Sequence, residues 1–232
     1  MTSAAILAIE TATSACSVAL SVGCEGERRV FREGEVGNNI HSQQLLSMVE
    51  KVLGDADVKI AELQAVAVGQ GPGSFTGLRI GVGVAQGIAY GAGCPMVGVS
   101  SLDALAWQVP GDAAVLAGID ARMGEVYWCE YLKQGTQLTA KTELSVSPPS
   151  LINSEFECVA LVGNAWSEYA PQLRVELLER VEISEQIIYP HAASILELAY
   201  SKIAANQTTP AIDFMPLYVR NDVAKKSQKN PF

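Results

Sequence analysis

The chain has 232 residues, of which 49% are hydrophobic and 18% are charged, and its formal net charge at pH 7 is −9. This length suits one large domain or two small ones, and the composition supplies a core and excludes a disordered chain. The acidic balance argues against independent binding to nucleic-acid phosphates, which requires clustered lysine and arginine. We therefore expect any nucleic-acid contact to be local or to depend on a partner.

The cysteine pattern and the N-terminus point to one compartment. The five cysteines are scattered along the chain without a C-x-x-C pair, and the N-terminus lacks the basic region of a signal peptide. The stretch 80–99 has no charge and is long enough to span a bilayer, but its glycines and Pro95 favour a buried helix, turn and strand. We expect a reduced, cytoplasmic protein with no membrane segment.

The first half of the chain predicts strands, a helix and then a strand–loop–helix unit. Strands are expected at 5–10, 17–22 and 27–32, followed by a helix over 41–54 with apolar residues at helical spacing. A short strand at 65–68 leads through a glycine-rich loop into a helix that ends near residue 90. Ser74 or Thr76 is expected to cap that helix, and Ser100 or Ser101 a further helix that follows a strand at 96–99.

The second half repeats this pattern after a Pro-Gly joint at 109–112. It predicts strands at 114–120, 126–132, 137–144 and 158–162, with helices at 148–152, 167–178 and 191–205. Two copies of a three-stranded unit followed by alternating helix and strand predict an α/β protein with an actin/hexokinase-like (ribonuclease-H-like) duplicated fold. Its two lobes, with mixed sheets flanked by helices, are expected at 1–108, including partner-docking helices, and at 109–232, including the tail.

The helix after the glycine-rich loop is unusual because it contains four interior glycines, at positions 77, 81, 83 and 87. Each costs about 1 kcal/mol relative to alanine, so close packing has to offset the penalty. At 3.6 residues per turn, several small and polar residues fall on one stripe. We interpret this stripe as a surface that a helix of a partner approaches closely; the alternative is contact with another helix of this chain.

We expect the start of the preceding helix to share this docking surface, with Arg79 and Tyr90 as anchors. The predicted partner-binding residues are His41, Leu45, Arg79, Gly83, Gln86, Gly87 and Tyr90.

The loop before the helix invites a second interpretation. A strand, a glycine-rich turn and a helix N-terminus can bind an anion, and Gly71, Gly73, Ser74 and Thr76 would form that platform. However, neither G-x-x-x-x-G-K-[ST] nor G-x-G-x-x-G is present. A structural loop that sets the helix angle is favoured over a nucleotide site.

The sequence offers few residues for metal, hydrolytic or kinase-like catalysis. The only histidines, His41 and His191, are far apart in sequence, so we expect no metal and no cofactor. Ser74 or Thr76 with His41 suggests a hydrolytic triad, but no G-x-S-x-G elbow exists. Glu10 and Asp120 end the first strand of each half, and together with Glu125 they lie where kinase-like proteins of this fold hold metal and phosphate. We expect these acids to be solvated.

Several motifs are specific enough to indicate a family. They are GPGSFTGLRIG at 71–81, AIETATSACSVAL at 8–20, HSQQLL at 41–46, GVSSLDALA at 98–106, IDARMGEVYW at 119–128 and PLYVR at 216–220. On these motifs the chain resembles the TsaB (YeaZ) family along nearly its whole length. The resemblance implies the two-lobed fold and a role in making N6-threonylcarbamoyladenosine (t6A) at tRNA position 37, beside the anticodon.

The resemblance also implies a division of labour. In that pathway a synthase makes threonylcarbamoyl-adenylate, and the metal-binding paralogue TsaD transfers the threonylcarbamoyl group to tRNA. TsaB-like proteins are the non-catalytic partner that TsaD needs, together with the small ATPase TsaE, and tRNA is contacted only through the complex. We therefore expect a subunit that exchanges between homodimer and heterodimer. The alternative is an enzyme, a kinase-like phosphotransferase of the same fold that binds ATP.

Overall fold

Two mixed β-sheets, one in each half of the chain, organise the part that the computed structural model describes, residues 4–219 except Glu25, Asn38 and Glu185. Each sheet joins an antiparallel three-stranded unit to two parallel strands, in the same spatial order. This repeat confirms the predicted actin/hexokinase-like duplicated two-lobe fold. In the described residues, no helix is both long and apolar enough to cross a membrane.

The first sheet has the strand order β3-β2-β1-β4-β5. Its strands are β1 (Ala4–Glu10), β2 (Ala15–Gly23), β3 (Arg29–Val36), β4 (Leu63–Gly69) and β5 (Met96–Val99). Helices α1 (Ile40–Ala56) and α2 (Phe75–Ala92) bury their apolar residues against one face of this sheet. Because β1 and β4 are covered on both faces, they are almost continuously apolar, as expected of central parallel strands.

The second sheet has the order β11-β10-β6-β7-β8, and β9 also pairs with β7. Its strands are β6 (Ala113–Asp120), β7 (Val126–Gln134), β8 (Gln137–Ala140), β9 (Ser145–Ser147), β10 (Val159–Val162) and β11 (Val181–Ile183). The short helices α4 (Trp166–Tyr169) and α5 (Val175–Leu178) pack on one face.

Helices α3 (Ser101–Trp107) and α6 (Ala192–Ala204) lie between the two sheets and contact each other. Leu102 and Leu105 of α3 pack on the second sheet, whereas Ile195 and Leu196 of α6 pack on the first. The predicted boundary between 108 and 109 separates the two sheets. Assigning all of 109–232 to the second lobe needs correction, because α6 completes the core of the first lobe; residues 220–232 of the predicted tail lie outside the described residues.

Several helices and strands of the second lobe differ from those expected from the sequence. The helix predicted over 167–178 is broken into α4, a 3₁₀ turn at Ala170–Gln172 and α5, because Pro171 cannot continue a helix. The strand predicted over 137–144 ends at Ala140. The three-residue strands β9 and β11 were missed, since they are too short to show a period.

A buried carboxyl group joins three elements of the first lobe, and here the expectation of a solvated Glu10 is wrong. Glu10, the last residue of β1, is fully buried. Its Oε1 accepts a hydrogen bond from the backbone N–H of Ala12 at 2.6 Å, and its Oε2 accepts one from Oγ of Ser101 at 2.8 Å. Burial raises the pKa of Glu10 above its ordinary value, and hydrogen bonds from Ala12, Ser101 and Thr11 offset part of that rise.

The neighbouring strand leaves room for this carboxyl group. A Cβ atom at Gly69, the last residue of β4, would overlap Oε2 of Glu10. The approach of β4 to the end of β1 therefore requires glycine at position 69.

We predict that Gly69→Ala lowers the free energy of unfolding by about 1–3 kcal/mol, because its methyl group collides with the Glu10 carboxyl group. The matched control is Gly54→Ala on α1, where no atom lies within 4 Å of the added Cβ. That change should be neutral or stabilise by about 0.5–1 kcal/mol. Urea unfolding of both variants is the measurement. Equal stability of Gly69→Ala and wild type would contradict the packing described here.

We also predict that Glu10→Gln removes a pH dependence of stability. Because the pKa of Glu10 is higher in the folded than in the unfolded chain, its contribution is complete at pH below the unfolded-state pKa. The contribution declines as the pH rises from there through the folded-state pKa. Glutamine keeps an acceptor for the Ala12 N–H, and its amide N–H donates to the Ser101 hydroxyl oxygen in place of the present bond from that hydroxyl, but it carries no titrating proton.

The free energy of unfolding of wild type should therefore fall relative to that of Glu10→Gln as the pH is raised from about 4 towards neutrality. Denaturant unfolding of both proteins at several pH values gives this difference. A difference that does not change with pH would show that Glu10 titrates alike in both states.

Candidate functional site

A cleft of about 660 Å³ lies between the two lobes. Its walls come from the loop after β1, the starts of α1 and α2, the turn after β6, and the chain at 217–219. Of the residues singled out from the sequence, the cleft brings together His41, Gly73, Ser74, Thr76 and Asp120.

The glycine-rich loop at the cleft is held by bonds within the chain. The N–H of Ser74 donates to the carbonyl of Ala12 at 2.7 Å, and the N–H of Ser101 donates to the carbonyl of Gly71 at 2.8 Å. Oγ of Ser74 accepts from the N–H of Gly77 at 3.3 Å, so Ser74 rather than Thr76 caps α2. These bonds fix the direction in which α2 leaves the sheet.

The loop after β1 also explains two of the helix glycines. Oγ1 of Thr11 donates to the carbonyl of Gly77 at 2.9 Å, inside the core. A Cβ atom at Gly77 would overlap the Thr11 carbonyl, and one at Gly81 would overlap the Thr11 side chain. Gly77 and Gly81 therefore permit α2 to lie directly on the β1 loop.

The other two interior glycines face outwards. Among the described residues, no atom lies within 4 Å of a Cβ built at Gly83 or Gly87, and the same holds at Gly91. No helix of the described chain packs on these positions, which removes the alternative of a contact with another described helix there. Their lack of side chains has no explanation inside the described protein.

Aromatic side chains flank these open glycines. Tyr90 is 77% exposed and Phe75 is 49% exposed. The Arg79 guanidinium stacks on the Phe75 ring at 3.7 Å from its centroid. The sequence pattern does not predict Phe75 as part of this surface, because it directly follows the glycine-rich loop. In the structure Phe75 is the first residue of α2 and lies four residues, about one helical turn, before Arg79.

Three predicted partner-binding residues make contacts within the chain. Leu45 is 1% exposed and belongs to the core beneath α1, so it is removed from the docking surface. The Gln86 side-chain amide donates to the carbonyls of Ala211 at 2.9 Å and Phe214 at 3.0 Å, so it is engaged within the chain. His41 is half-buried, and its Nε2 donates to the Ala15 carbonyl at 3.2 Å.

The acid at the end of β6 is also engaged, contrary to the expectation of a solvated side chain. Oδ1 of Asp120 accepts from the N–H of Arg122 at 2.7 Å and from the Tyr169 hydroxyl at 3.3 Å. Its Oδ2 lies 3.1 Å from the Arg122 guanidinium, which is itself mostly exposed. In the part of the chain that is described, no three His, Cys, Asp or Glu side chains cluster in a way that would hold a metal ion.

Comparisons with known proteins identify relatives that cover nearly the whole chain. The family model described as TsaD, tRNA N6-adenosine threonylcarbamoyltransferase, matches residues 35–228. The Escherichia coli protein called tRNA threonylcarbamoyladenosine biosynthesis protein TsaB is 37% identical over 95% of this chain and 96% of its own. A Haemophilus influenzae protein of the same name is 32% identical over 95% of each chain.

Solved structures give the same result. The structure described as YeaZ from Pseudomonas aeruginosa has a TM-score of 0.83 and 35% identity, covering 93% of this chain and 99% of that one. A second structure, described as an uncharacterized protein with similarity to peptidase YeaZ from Pseudomonas aeruginosa, has a TM-score of 0.84 and 35% identity, covering 94% and 100%. The chain belongs to the TsaB (YeaZ) family.

Proposed function

We propose that this chain is a non-catalytic subunit that a TsaD-type transferase requires to form t6A at position 37 of tRNA. The relatives named for threonylcarbamoyladenosine biosynthesis match over about 95% of both chains, so a role of the whole protein can be transferred. The five cysteines, all among the described residues, are free thiols, which supports work in the reducing cytoplasm. A TsaE-type ATPase completes the proposed assembly, and tRNA is bound only through the complex.

The chemistry of the interlobe cleft supports a non-catalytic role. Glu10 is buried and hydrogen-bonded beneath it, and the Asp120 carboxylate is bonded to Arg122 and Tyr169. The Ser74 hydroxyl caps α2, and His41 is bonded to the backbone. The groups that a kinase-like or hydrolytic mechanism would use are thus committed to holding the fold.

One observation carries the proposed mode of action, the exposed stripe of α2. We define the docking face as Phe75, Arg79, Gly83, Gly87, Tyr90 and Gly91. It combines two exposed aromatic rings and a guanidinium with three glycines that leave backbone open to contact. Aromatic and arginine anchors beside small residues are what a closely packed helix–helix interface uses.

The docking face is complementary to itself in size. If two copies of α2 cross antiparallel about Gly83, Arg79 of each copy lies opposite Gly87 of the other, and Phe75 lies opposite Gly91. Apart from Tyr90, the large residues of the face, Phe75 and Arg79, lie in its N-terminal half, and the open glycines Gly87 and Gly91 lie in its C-terminal half. We therefore propose a twofold homodimer on this face. The TsaD-type subunit binds the same face, so homodimer and heterodimer exclude each other.

The kinase-like phosphotransferase is the second candidate function, favoured only by the fold and by the cleft beside the α2 N-terminus. It differs from the first proposal in requiring activity of the isolated chain.

We predict that the purified chain alone neither hydrolyses ATP nor modifies tRNA. Mixed with the synthase, TsaD-type and TsaE-type proteins of its own organism, it should support t6A formation on a tRNA transcript. Leaving it out should reduce the product to the level of a mixture without the TsaD-type protein. ATP turnover by the purified chain that Asp120→Asn abolishes would favour the kinase-like alternative.

We predict that Gly83→Leu weakens self-association and TsaD-type binding at least about tenfold, because the side chain holds the approaching helix away. The monomer should stay folded, since the space at Gly83 is open and leucine favours the helix by about 1 kcal/mol over glycine. Arg79→Ala should weaken both associations more mildly.

The matched control is Gly54→Leu, the same change at an open helical position on α1. It should leave both associations unchanged in sedimentation velocity. If folded Gly83→Leu forms both complexes with wild-type affinity, the docking face lies elsewhere.

A further inference from the structure

The chain near its C-terminus runs along one edge of α2. The Gln86 amide holds it through the carbonyls of Ala211 and Phe214, and the N–H of Leu217 donates to the carbonyl of Gln70 at 2.8 Å. The Phe75 and Tyr218 rings pack with their centroids 6.0 Å apart. The segment therefore follows α2 in the opposite direction, from the middle of the helix to its N-terminus.

This segment presents apolar side chains to solvent. Phe214 and Ala211 are buried and anchor it, whereas Ile212 is 79% exposed and Met215 is 68% exposed. Two more partly exposed apolar side chains, Leu217 and Tyr218, follow. We call the four residues Ile212, Met215, Leu217 and Tyr218 the C-terminal wall. An exposed apolar group of this size beside a docking face marks an interaction surface.

The helical geometry places the wall at the border of the docking face. At about 100° per residue, Phe75 and Gln86 lie within about 20° of each other on the α2 surface, and both contact the segment. Gly83 and Gly87 lie further round on the open side. A helix of about 10 Å diameter that sits on these glycines brings its side chains against the wall.

We propose that the C-terminal wall of each copy contacts α2 of the second copy in the homodimer, and that Gln86 positions the wall for this contact. The proposal rests on the proposed function, because it uses the same docking face. We assign the second copy of the chain as the partner of the wall because of the antiparallel pairing about Gly83. That pairing brings the C-terminal half of the second copy's α2, with its exposed Tyr90, to the end of the face where Phe75 and Tyr218 form their aromatic pair.

This assignment changes the role of Gln86. It was expected to touch the partner, but both of its observed bonds go to the chain at 211–214. Gln86 is a positioning residue, and the apolar side chains that it holds in place make the contact.

The test is sedimentation velocity of the full chain over a concentration series, with the double variant Ile212→Ser/Met215→Ser. We expect its homodimer dissociation constant to rise about tenfold or more, because two apolar side chains lose their burial. The control is Leu151→Ser/Val175→Ser, which removes two similarly exposed apolar side chains from the second lobe. The control should dimerise like wild type.

A second variant tests the role of Gln86. Gln86→Glu replaces the donating amide with a carboxylate that faces two carbonyl oxygens, so it should release the segment. Hydrogen exchange of the backbone amides at 211–217 should become faster in the monomer at high dilution, and the dimer should weaken. Unchanged exchange with a weakened dimer would contradict the positioning role.

The outcomes separate this proposal from the one it rests on. If Gly83→Leu abolishes the dimer and the wall variant leaves it unchanged, the wall proposal fails and the docking face stands. If wild type stays monomeric, or if both variants dimerise normally, both fail. A wall variant that weakens only the TsaD-type complex overturns the second copy as occupant.

Discussion

The buried Glu10 carboxyl group is the constraint on which the glycine-rich end of the first lobe depends. It joins the end of β1 to α3 through Ser101 and to the loop through Ala12, and it requires glycine at the end of β4. The loop that it shapes then holds α2, through the Thr11 bond to Gly77 and the Ala12 bond to Ser74. The Glu10 carboxyl group is therefore linked through this loop to α2, the helix that carries the proposed docking face.

This arrangement uses glycine for opposite purposes on one helix. At Gly77 and Gly81 the missing side chains let α2 lie on the β1 loop, where a Cβ would overlap Thr11. At Gly83 and Gly87 they leave backbone open to solvent. The inner glycines fix the helix on the lobe, and the outer ones, in our proposal, admit a second helix. The isolated chain would then tolerate larger residues at Gly83 and Gly87 but not at Gly77 and Gly81.

The duplicated fold was predictable because apolar strands and helical periods recur in both halves, and the motifs identified the family. Burial was not predictable: Glu10 looks like a solvated strand end, yet its hydrogen-bond partner Ser101 is 91 residues away. Leu45 fits the helical period of the core, although from the sequence we also predict it on the docking surface. Gln86 fits the outer stripe, but its partners at 211–214 are more than a hundred residues distant. Such long-range contacts leave no local pattern in the sequence.

The central claim is that one face of α2 serves both self-association and the TsaD-type subunit. The most direct measurement is a titration of the TsaD-type subunit into a fixed concentration of this chain, with every species followed by sedimentation velocity. Our account predicts that the homodimer disappears as a one-to-one heterodimer forms, with no larger species. A complex that contains two copies of this chain in mutual contact together with the TsaD-type subunit would contradict it.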